Sequence, residues 1–140
     1  MLQPTGPHMN SAKLIVIIDD DPIVGHVISD ILDQAGHRTR TFTEPRAALD
    51  HVLADHEAIR MVISDNDMPE MHGTELLQEI RSRHPGLPLL LVSARPPASM
   101  PPGLNFLAKP FRIETLLQCV TDTLSGRITR VGSQGASEAA

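Results

Sequence analysis

The sequence has 140 residues, with 12 Lys or Arg against 17 Asp or Glu, so its formal net charge at pH 7 is −5. This length fits one domain and leaves little for a second, and the lack of a clustered basic stretch argues against direct nucleic-acid binding. The single cysteine, Cys119, excludes an internal disulfide and favours a reducing, cytoplasmic setting. Apolar runs of about five residues are too short to span a membrane.

The two ends of the chain differ in composition from the part between them. Residues 1–12 contain GPHM, which is typical of a cloning or protease-cleavage remnant, so we expect a disordered N-terminus. Residues 127–140 are rich in Gly, Ser and Ala without periodicity, which indicates a flexible C-terminal tail. The sequence therefore predicts one folded domain over residues 13–126.

Between these ends, short apolar runs alternate with amphipathic segments, a pattern typical of βα units around a parallel sheet. The first strand is predicted at Leu14–Ile18, a largely β-branched run suited to burial on both faces. The first helix is predicted over 22–36, because proline suits a first helical position and glycine a helix end. Its expected buried face consists of Ile23, Val24, Val27, Ile28, Ile31 and Leu32.

The remaining elements continue the same alternation. They are strands at 38–42, 61–64, 89–92 and 106–108 and helices at 45–53, 74–83 and 112–124. The polar strand at 38–42 is expected at an edge of the sheet. The last two helices are expected to bury Leu76, Leu77, Ile80, Ile113, Leu116, Leu117, Val120 and Leu124.

The segment between the fourth and fifth strands breaks the alternation. It carries four prolines within residues 96–102. Each interior proline costs a helix about 3 kcal/mol, and proline also disfavours the helical region for the residue before it. The sequence therefore predicts a shortened fourth helix or an irregular proline-rich loop.

Polar residues follow four of the predicted strands. Ligands in a doubly wound sheet bind beyond the carboxyl ends of the strands, and the residues found there are Asp19, Asp20, Asp65, Ser93 and Lys109. Two like charges about 4 Å apart repel by about 4 kcal/mol at an effective dielectric near 20, so three carboxylates need a cation. A hard divalent ion with oxygen ligands, Mg²⁺, suits this set.

Asp65 is the central group of this predicted site. A carboxylate held beside Mg²⁺ and an ammonium can accept a phosphoryl group. Lys109 is one of two lysines in a chain with ten arginines, which indicates that a compact point charge is wanted there. The residues alone thus predict a magnesium-dependent phosphoacceptor.

Four motifs stand in a fixed order along the chain: IIDDDP at 17–22, SDNDMPEMHG at 64–73, LVSA at 91–94 and FLAKPF at 106–111. With them, the sequence resembles the receiver domain of two-component response regulators, the family of the chemotaxis protein CheY, over residues 13–125. The resemblance implies an α/β, flavodoxin-like five-stranded parallel sheet of order 2-1-3-4-5. It also implies a phosphorelay switch served by a histidine kinase or histidine phosphotransfer protein, as in receivers attached to hybrid kinases.

The resemblance also implies a metal site. Asp20 would bind Mg²⁺ directly and Asp19 through water, and Asp65 would be both ligand and phosphoacceptor. The backbone carbonyl of Asp67 would complete the protein ligands.

Further roles follow from the same resemblance. Ser93 would hydrogen-bond the phosphoryl group, and Lys109 would pair with it before a cis Lys109–Pro110 bond. Phe106 occupies the position of the aromatic switch residue, whose rotamer would follow the movement of Ser93. Asp67 and Arg95 flank the path of the hydrolytic water, and we expect them to form an ion pair across the pocket mouth and to tune phosphoryl lifetime.

Other functions fit parts of the same residue set. An aspartyl-phosphate phosphatase or phosphotransferase would need a general acid two residues beyond its nucleophile, where Asp67 stands. A phosphorylation-independent interaction module is a third interpretation. A metal site at His51, Asp55 and His56 is disfavoured, because solvated helix faces collect such residues, and Cys119 is expected to be an inert core thiol.

Overall fold

The computed structural model describes residues 13–133. One parallel sheet of six strands has the order β2-β1-β3-β4-β5-β6. The strands are β1 Leu14–Ile18, β2 Arg38–Phe42, β3 Ile59–Asp65, β4 Leu89–Ser93, β5 Asn105–Ala108 and β6 Arg130–Val131. The order of the first five strands confirms the predicted α/β fold. The expectations for residues 1–12 and 134–140 lie outside the described residues.

Four helices cover the two faces of this sheet. They are α1 Pro22–Gln34, α2 Pro45–Ala54, α3 Gly73–Arg83 and α4 Ile113–Leu124, with a 3₁₀ turn at His56–Ala58. No helix lies between β4 and β5, so the loop predicted from the prolines is confirmed. No helix in residues 13–133 combines the length and the apolar character needed to cross a membrane.

Local chemistry fixes the bounds of α1. The Asp21 side chain accepts a hydrogen bond of 2.9 Å from the amide of Ile23, which caps the helix, and Pro22 occupies the first turn. After the helix, Gly36 has φ +98°, a conformation that side chains rarely adopt. Helix α1 therefore begins and ends where the sequence predicts, within two residues.

The core lies on both sides of the sheet. On one side Ile28 and Leu32 of α1 pack in the same apolar cluster as Leu116 and Val120 of α4. Helices α2 and α3 cover the other face, where Leu76, Leu77 and Ile80 are fully buried. Parallel strands enclosed in this way explain the continuous apolar runs in the sequence.

Three residues expected in this core are exposed instead. Ile23 is 73% exposed, Val27 49% and Ile113 57%. Ile23 and Val27 each precede a core-facing residue by one position, which rotates them by about 100° around the helix axis. The sheet covers a narrower stripe of each helix than the apolar pattern suggests.

The C-terminal segment differs from the flexible tail that its composition predicts. Arg130–Val131 pair in parallel with Phe106 and Leu107 of β5. A strand of two residues is too short to leave a periodic pattern, which is why the sequence does not reveal it. The sheet thus has one strand more than predicted.

Candidate functional site

The parallel sheet brings the predicted polar residues to one edge. Asp19 follows β1 directly, Asp65 and Ser93 end β3 and β4, and Lys109 follows β5. The Lys109 amide donates to the Ser93 carbonyl at 2.8 Å, which fixes the ends of β4 and β5 together. Convergence follows from topology, because the carboxyl ends of parallel strands share one edge.

The acidic side chains and the ammonium meet there. One carboxylate oxygen from each of Asp19, Asp20 and Asp65 lies within 4.8 Å of the other two. Lys109 Nζ lies 2.9 Å from Asp65 Oδ1 and 3.1 Å from Asp19 Oδ2. The structure therefore brings together four of the sequence-predicted residues in one constellation.

The three carboxylates differ in their surroundings. Asp19 and Asp65 are buried, whereas Asp20 is exposed. Asp19 is engaged through both oxygens, since Oδ1 accepts from the Asp21 amide at 2.9 Å and Oδ2 from Lys109. Within the described residues Asp20 has neither an ion pair nor a side-chain hydrogen bond, so its oxygens are available for a ligand.

Burial and charge shift two pKa values at this site. Burial raises the pKa of the Asp65 carboxyl; the hydrogen bond and charge of Lys109 offset part of that rise, and the charges of Asp19 and Asp67 add to it. Burial alone would lower the pKa of the Lys109 ammonium, but its contacts with Asp65 and Asp19 outweigh burial and raise it. The site thus holds an ionised lysine beside a carboxylate that is costly to ionise.

The donor set fits a hard divalent cation. Crowded carboxylates supply oxygen ligands, and one ammonium cannot neutralise three of them. Over residues 13–133 no second group of three or more acidic, His or Cys side chains gathers in this way. The His51, Asp55 and His56 alternative therefore gains no support, and His56 instead stacks on His84 with ring centroids 3.7 Å apart.

The expected ion pair between Asp67 and Arg95 is absent from the part of the chain that the structure describes. Asp67 Oδ2 instead accepts a long hydrogen bond of 3.4 Å from Ser93 Oγ. Both expected partners are exposed, and water competes strongly for such charges. They nevertheless line the same open cleft of about 420 Å³, which Asn66, the neighbour of Asp65, also lines.

Two neighbouring features agree with the sequence. The Lys109–Pro110 peptide bond is cis. Phe106 is buried within the apolar cluster under α2 and α3, so its ring points inward in this structure.

Cys119 is also buried, and burial raises the pKa of its thiol, as expected of an inert core cysteine.

The reason for Gly73 is not visible in the sequence. A turn-rich loop suggests an unusual backbone angle at this residue, but Gly73 is not among the described glycines with positive φ. A Cβ at this position would lie 2.1 Å from the Asp65 carbonyl oxygen. Gly73 thus allows the start of α3 to pack against the end of β3 at Asp65, and eight positions of separation along the chain give no hint of that contact.

A neighbouring residue, Asn66, is also missed by sequence reasoning. Its side-chain oxygen accepts from the Thr74 amide at 3.0 Å, and its backbone carbonyl accepts from the Gly73 amide at 3.0 Å. Asn66 is buried and follows Asp65 directly. It therefore ties the end of β3, where Asp65 lies, to the first turn of α3.

Comparisons with known proteins agree with this geometry. The family model described as response regulator receiver domain matches residues 15–121. The response regulator protein FleR of Pseudomonas aeruginosa is 37% identical over 123 residues, which cover 84% of this chain. A chemotaxis protein CheY homolog of Campylobacter jejuni is 25% identical over 118 residues, covering 79% of this chain.

A solved receiver domain from the hybrid histidine kinase CckA is similar in fold, with a TM-score of 0.69 and 27% identity over 79% of this chain and 98% of that one. The chain spans 26% of the length of FleR but 91% of that of the CheY homolog. The shared part is thus the receiver region. With the family model matching most of the folded residues, this chain belongs to the response regulator receiver domain family.

Proposed function

We propose that this receiver domain is a two-component signalling switch in which Asp65 accepts a phosphoryl group from a phosphohistidine. The donor is a histidine kinase or a histidine phosphotransfer protein. The observation that carries the proposal is the contact of the Lys109 ammonium with both Asp65 and Asp19, beside the open carboxylate of Asp20.

The residues of the site have complementary roles in the transfer. An Asp65 carboxylate oxygen bonds to phosphorus as the P–N bond of the donor breaks, and the leaving imidazole keeps the bonding electrons and takes a proton from water. Lys109 neutralises charge on the phosphoryl oxygens. Ser93 turns its hydroxyl from Asp67 to a phosphoryl oxygen. Phe106, which lies opposite Leu91 of β4, two residues before Ser93, is the buried switch residue.

The acidic residues would hold Mg²⁺. Asp20 suits direct ligation because it is exposed and uncommitted, whereas Asp19 is already engaged through both oxygens and suits a water-mediated contact. Asp65 and the backbone carbonyl of Asp67 are the remaining proposed ligands. When bound, the ion supplies charge neutralisation at the phosphoryl oxygens.

Two exposed side chains at the cleft are proposed to set how long the phosphoryl group lasts. Asp67 and Arg95 line the approach to Asp65 without pairing with each other. Their charges can order or exclude the attacking water independently. Dephosphorylation rates of Asp67→Asn and Arg95→Ala that equal the native rate would reject this role.

Three exposed apolar side chains of α1 and α4 suit a protein partner. Ile23 and Val27 begin α1, and Ile113 begins α4 on the same face of the sheet. These helices start directly after the strand ends that carry Asp20 and Lys109. Exposed apolar side chains in this position are proposed to contact the phosphohistidine protein.

The chain is proposed to be a phosphoacceptor and not a turnover enzyme. In a phosphatase, Asp67 would act as general acid, but here it is exposed and receives the Ser93 hydrogen bond. Hydrolysis of a generic phosphate ester at a sustained rate would favour the phosphatase. We expect each protein molecule to accept one phosphoryl group, with no sustained hydrolysis of the ester.

Incubation with acetyl phosphate and Mg²⁺, followed by intact mass spectrometry, tests the acceptor assignment. The native protein should gain one phosphoryl group and Asp65→Asn none. Asp50→Asn, a substitution of an exposed carboxylate on α2, is a matched control that should be phosphorylated like the native protein. Equal phosphorylation of Asp65→Asn would place the acceptor elsewhere.

A further inference from the structure

The loop that replaces the fourth helix ends in a tight turn. The Leu104 amide donates to the Pro101 carbonyl at 3.3 Å. Pro102 and Gly103, with φ +78° at the glycine, are the central residues that a type II turn favours. The loop therefore enters β5 through a defined structure, although it contains four prolines and no helix.

Two arginines from different elements hold this turn. Arg81 of α3 donates to the Pro102 carbonyl at 2.6 Å. Arg130 of β6 donates from Nε to the Leu104 carbonyl at 3.1 Å and from Nη2 to the Pro101 carbonyl at 3.2 Å. A guanidinium can bridge two carbonyls in this way because its donors form a rigid fork.

Strand β6 is itself firmly attached to β5. The Phe106 amide donates to the Thr129 carbonyl at 2.9 Å. The buried Asn105 side chain accepts from the Thr129 amide at 3.0 Å and donates to Thr123 Oγ1 and to the Arg127 carbonyl, each at 2.8 Å. The strand that carries Arg130 is therefore bonded to both the switch residue and its neighbour.

The other end of the loop is Ser93, at the acceptor site. Between the two ends, residues 94–100 make no hydrogen bond to other described residues. Residues 95–99 border the open cleft of about 420 Å³ that Asp67 and Thr74 also line, and Met100 packs against the apolar core. Space beside the segment and few bonds along it allow the segment to move. Its position depends on its two anchors.

We propose that Arg130 is a positioning residue for the acceptor site. By holding the turn at 101–104 from β6, it fixes one end of the loop whose other end is Ser93, in place of the helix that the prolines exclude. This inference rests on the proposed phosphorylation of Asp65. A phosphoryl group there draws Ser93 from Asp67, and the loop follows into the cleft.

Displacement of the loop loosens β6. Hydrogen bonds of 3.1 and 3.2 Å already lie near the long end of the usual range, so a further shift of about 0.5 Å breaks them. Phosphorylation therefore weakens the pairing of β6 with β5. Because coupling between two sites is reciprocal, freeing the turn from Arg130 should strengthen binding of a phosphoryl group at Asp65.

Hydrogen exchange of the native protein tests the first half of this coupling. The probe is beryllofluoride with Mg²⁺, a phosphoryl analogue. At saturation, the amides of Phe106 and of residues 130–131 should exchange at least about fivefold faster than in the free protein. Fivefold is the lower end of the usual range for coupling between two binding sites. Asp65→Asn should show no such change.

Variants of Arg130 test the second half. Arg130→Ala should bind beryllofluoride about fivefold more tightly than the native protein, and Arg130→Lys should behave similarly because an ammonium lacks the fork that reaches two carbonyls. Arg127→Ala is the matched control on the same segment. Its side chain is exposed and its ion pair is with Asp122, at 3.7 Å, so its affinity should be native.

The possible failures are distinguishable. Beryllofluoride binding with unchanged exchange at residues 106 and 130–131 would overturn the Arg130 inference and leave the proposed phosphorylation intact. Native affinity in Arg130→Ala would do the same. Absence of any beryllofluoride and Mg²⁺ binding would overturn both proposals.

Discussion

The proposed acceptor site and the β5–β6 edge differ in how far their polar groups are paired. At the acceptor site, Asp19, Asp20 and Asp65 crowd around one ammonium, and burial raises the pKa of Asp65. At the β5–β6 edge, the buried side chain of Asn105 is hydrogen-bonded through both its oxygen and its nitrogen. The first region keeps unbalanced charge, whereas the second is fully paired.

The difference separates what the fold needs from what the proposed chemistry needs. Unbalanced charge costs stability and is useful only if a cation or a phosphoryl group relieves it. Paired buried polar groups cost little stability, but removal of one partner leaves the others buried without a hydrogen bond. Removal of a polar group should therefore change the free energy of unfolding with opposite signs in the two regions.

Gly73→Ala should give the largest effect, because the added methyl group would collide with the backbone of Asp65 at the end of β3. The added Cβ would lie 2.1 Å from the Asp65 carbonyl oxygen, so we expect a loss of about 3 kcal/mol in the free energy of unfolding, measured by urea denaturation. Phosphorylation by acetyl phosphate should slow at least tenfold, the rate change that about 1.4 kcal/mol of misalignment produces.

Gly86→Ala is the matched control for that substitution, since the space that its Cβ would enter holds no atom of a non-neighbouring residue within 4 Å. Its stability and phosphorylation rate should be close to native. A Gly73→Ala protein as stable and as readily phosphorylated as Gly86→Ala would contradict the close packing of α3 on the acceptor strand.

Asn105→Ala should cost the paired region about 2 kcal/mol, because it leaves the Thr129 amide and the Arg127 carbonyl without their partner. Urea denaturation measures the loss. Gln118→Ala, which removes an exposed hydrogen bond to Asp122, should cost under about 0.5 kcal/mol. Equal losses in the two variants would show that the Asn105 network contributes nothing specific.

Asp65→Asn should act in the opposite direction and stabilise the metal-free protein at pH 7 by about 1 kcal/mol, since it removes one of three crowded charges. The folded-state pKa of Asp65 is raised, so its stabilising contribution is present in the protonated form and is lost as pH rises through that pKa. The advantage of the variant should therefore shrink as pH falls toward about 4, the unfolded pKa of an Asp.

Thermal unfolding at several pH values, without and with Mg²⁺, measures this effect. Magnesium should stabilise the native protein and reduce the advantage of Asp65→Asn. A variant less stable than the native protein at pH 7 without metal would mean that the Lys109 ion pair outweighs the crowding of charge.

His37 should give the smallest effect. Burial, and then the charge of Arg60, lower the pKa of this imidazole, so the folded state favours its neutral form. Stability from this group is present above its unfolded pKa and is lost as pH falls through the lowered folded pKa. His37→Asn should reduce the loss of stability below about pH 6.5 by under about 1 kcal/mol, as measured by thermal unfolding at several pH values.

Much of the acceptor site could be predicted from the sequence, for a physical reason. Buried parallel strands have continuous apolar runs, and the first charged residues after those runs must lie at one edge. Asp19, Asp65 and Lys109 are therefore identifiable by position alone. The prolines at 96–102 likewise exclude a helix through local backbone geometry.

What the sequence does not reveal depends on long-range contacts. The orientation of Ile23 and Ile113 depends on how much of each helix the sheet covers, and the absence of an Asp67–Arg95 pair from the described residues depends on solvent. Strand β6 exists because Asn105 and Phe106 bond to residues more than 20 positions away. Asn105 begins an apolar strand, where its polar side chain requires hydrogen-bond partners. This residue is the sequence signal that points to β6.

A magnesium titration followed by nuclear magnetic resonance tests the central claim most directly, namely that separate strand ends form one cation site. Amide signals of residues 19, 20 and 65 should shift together and saturate with a single dissociation constant, and Asp20→Asn should weaken that binding at least tenfold. Signals that do not move, or that respond equally in Asp20→Asn, would contradict the claim.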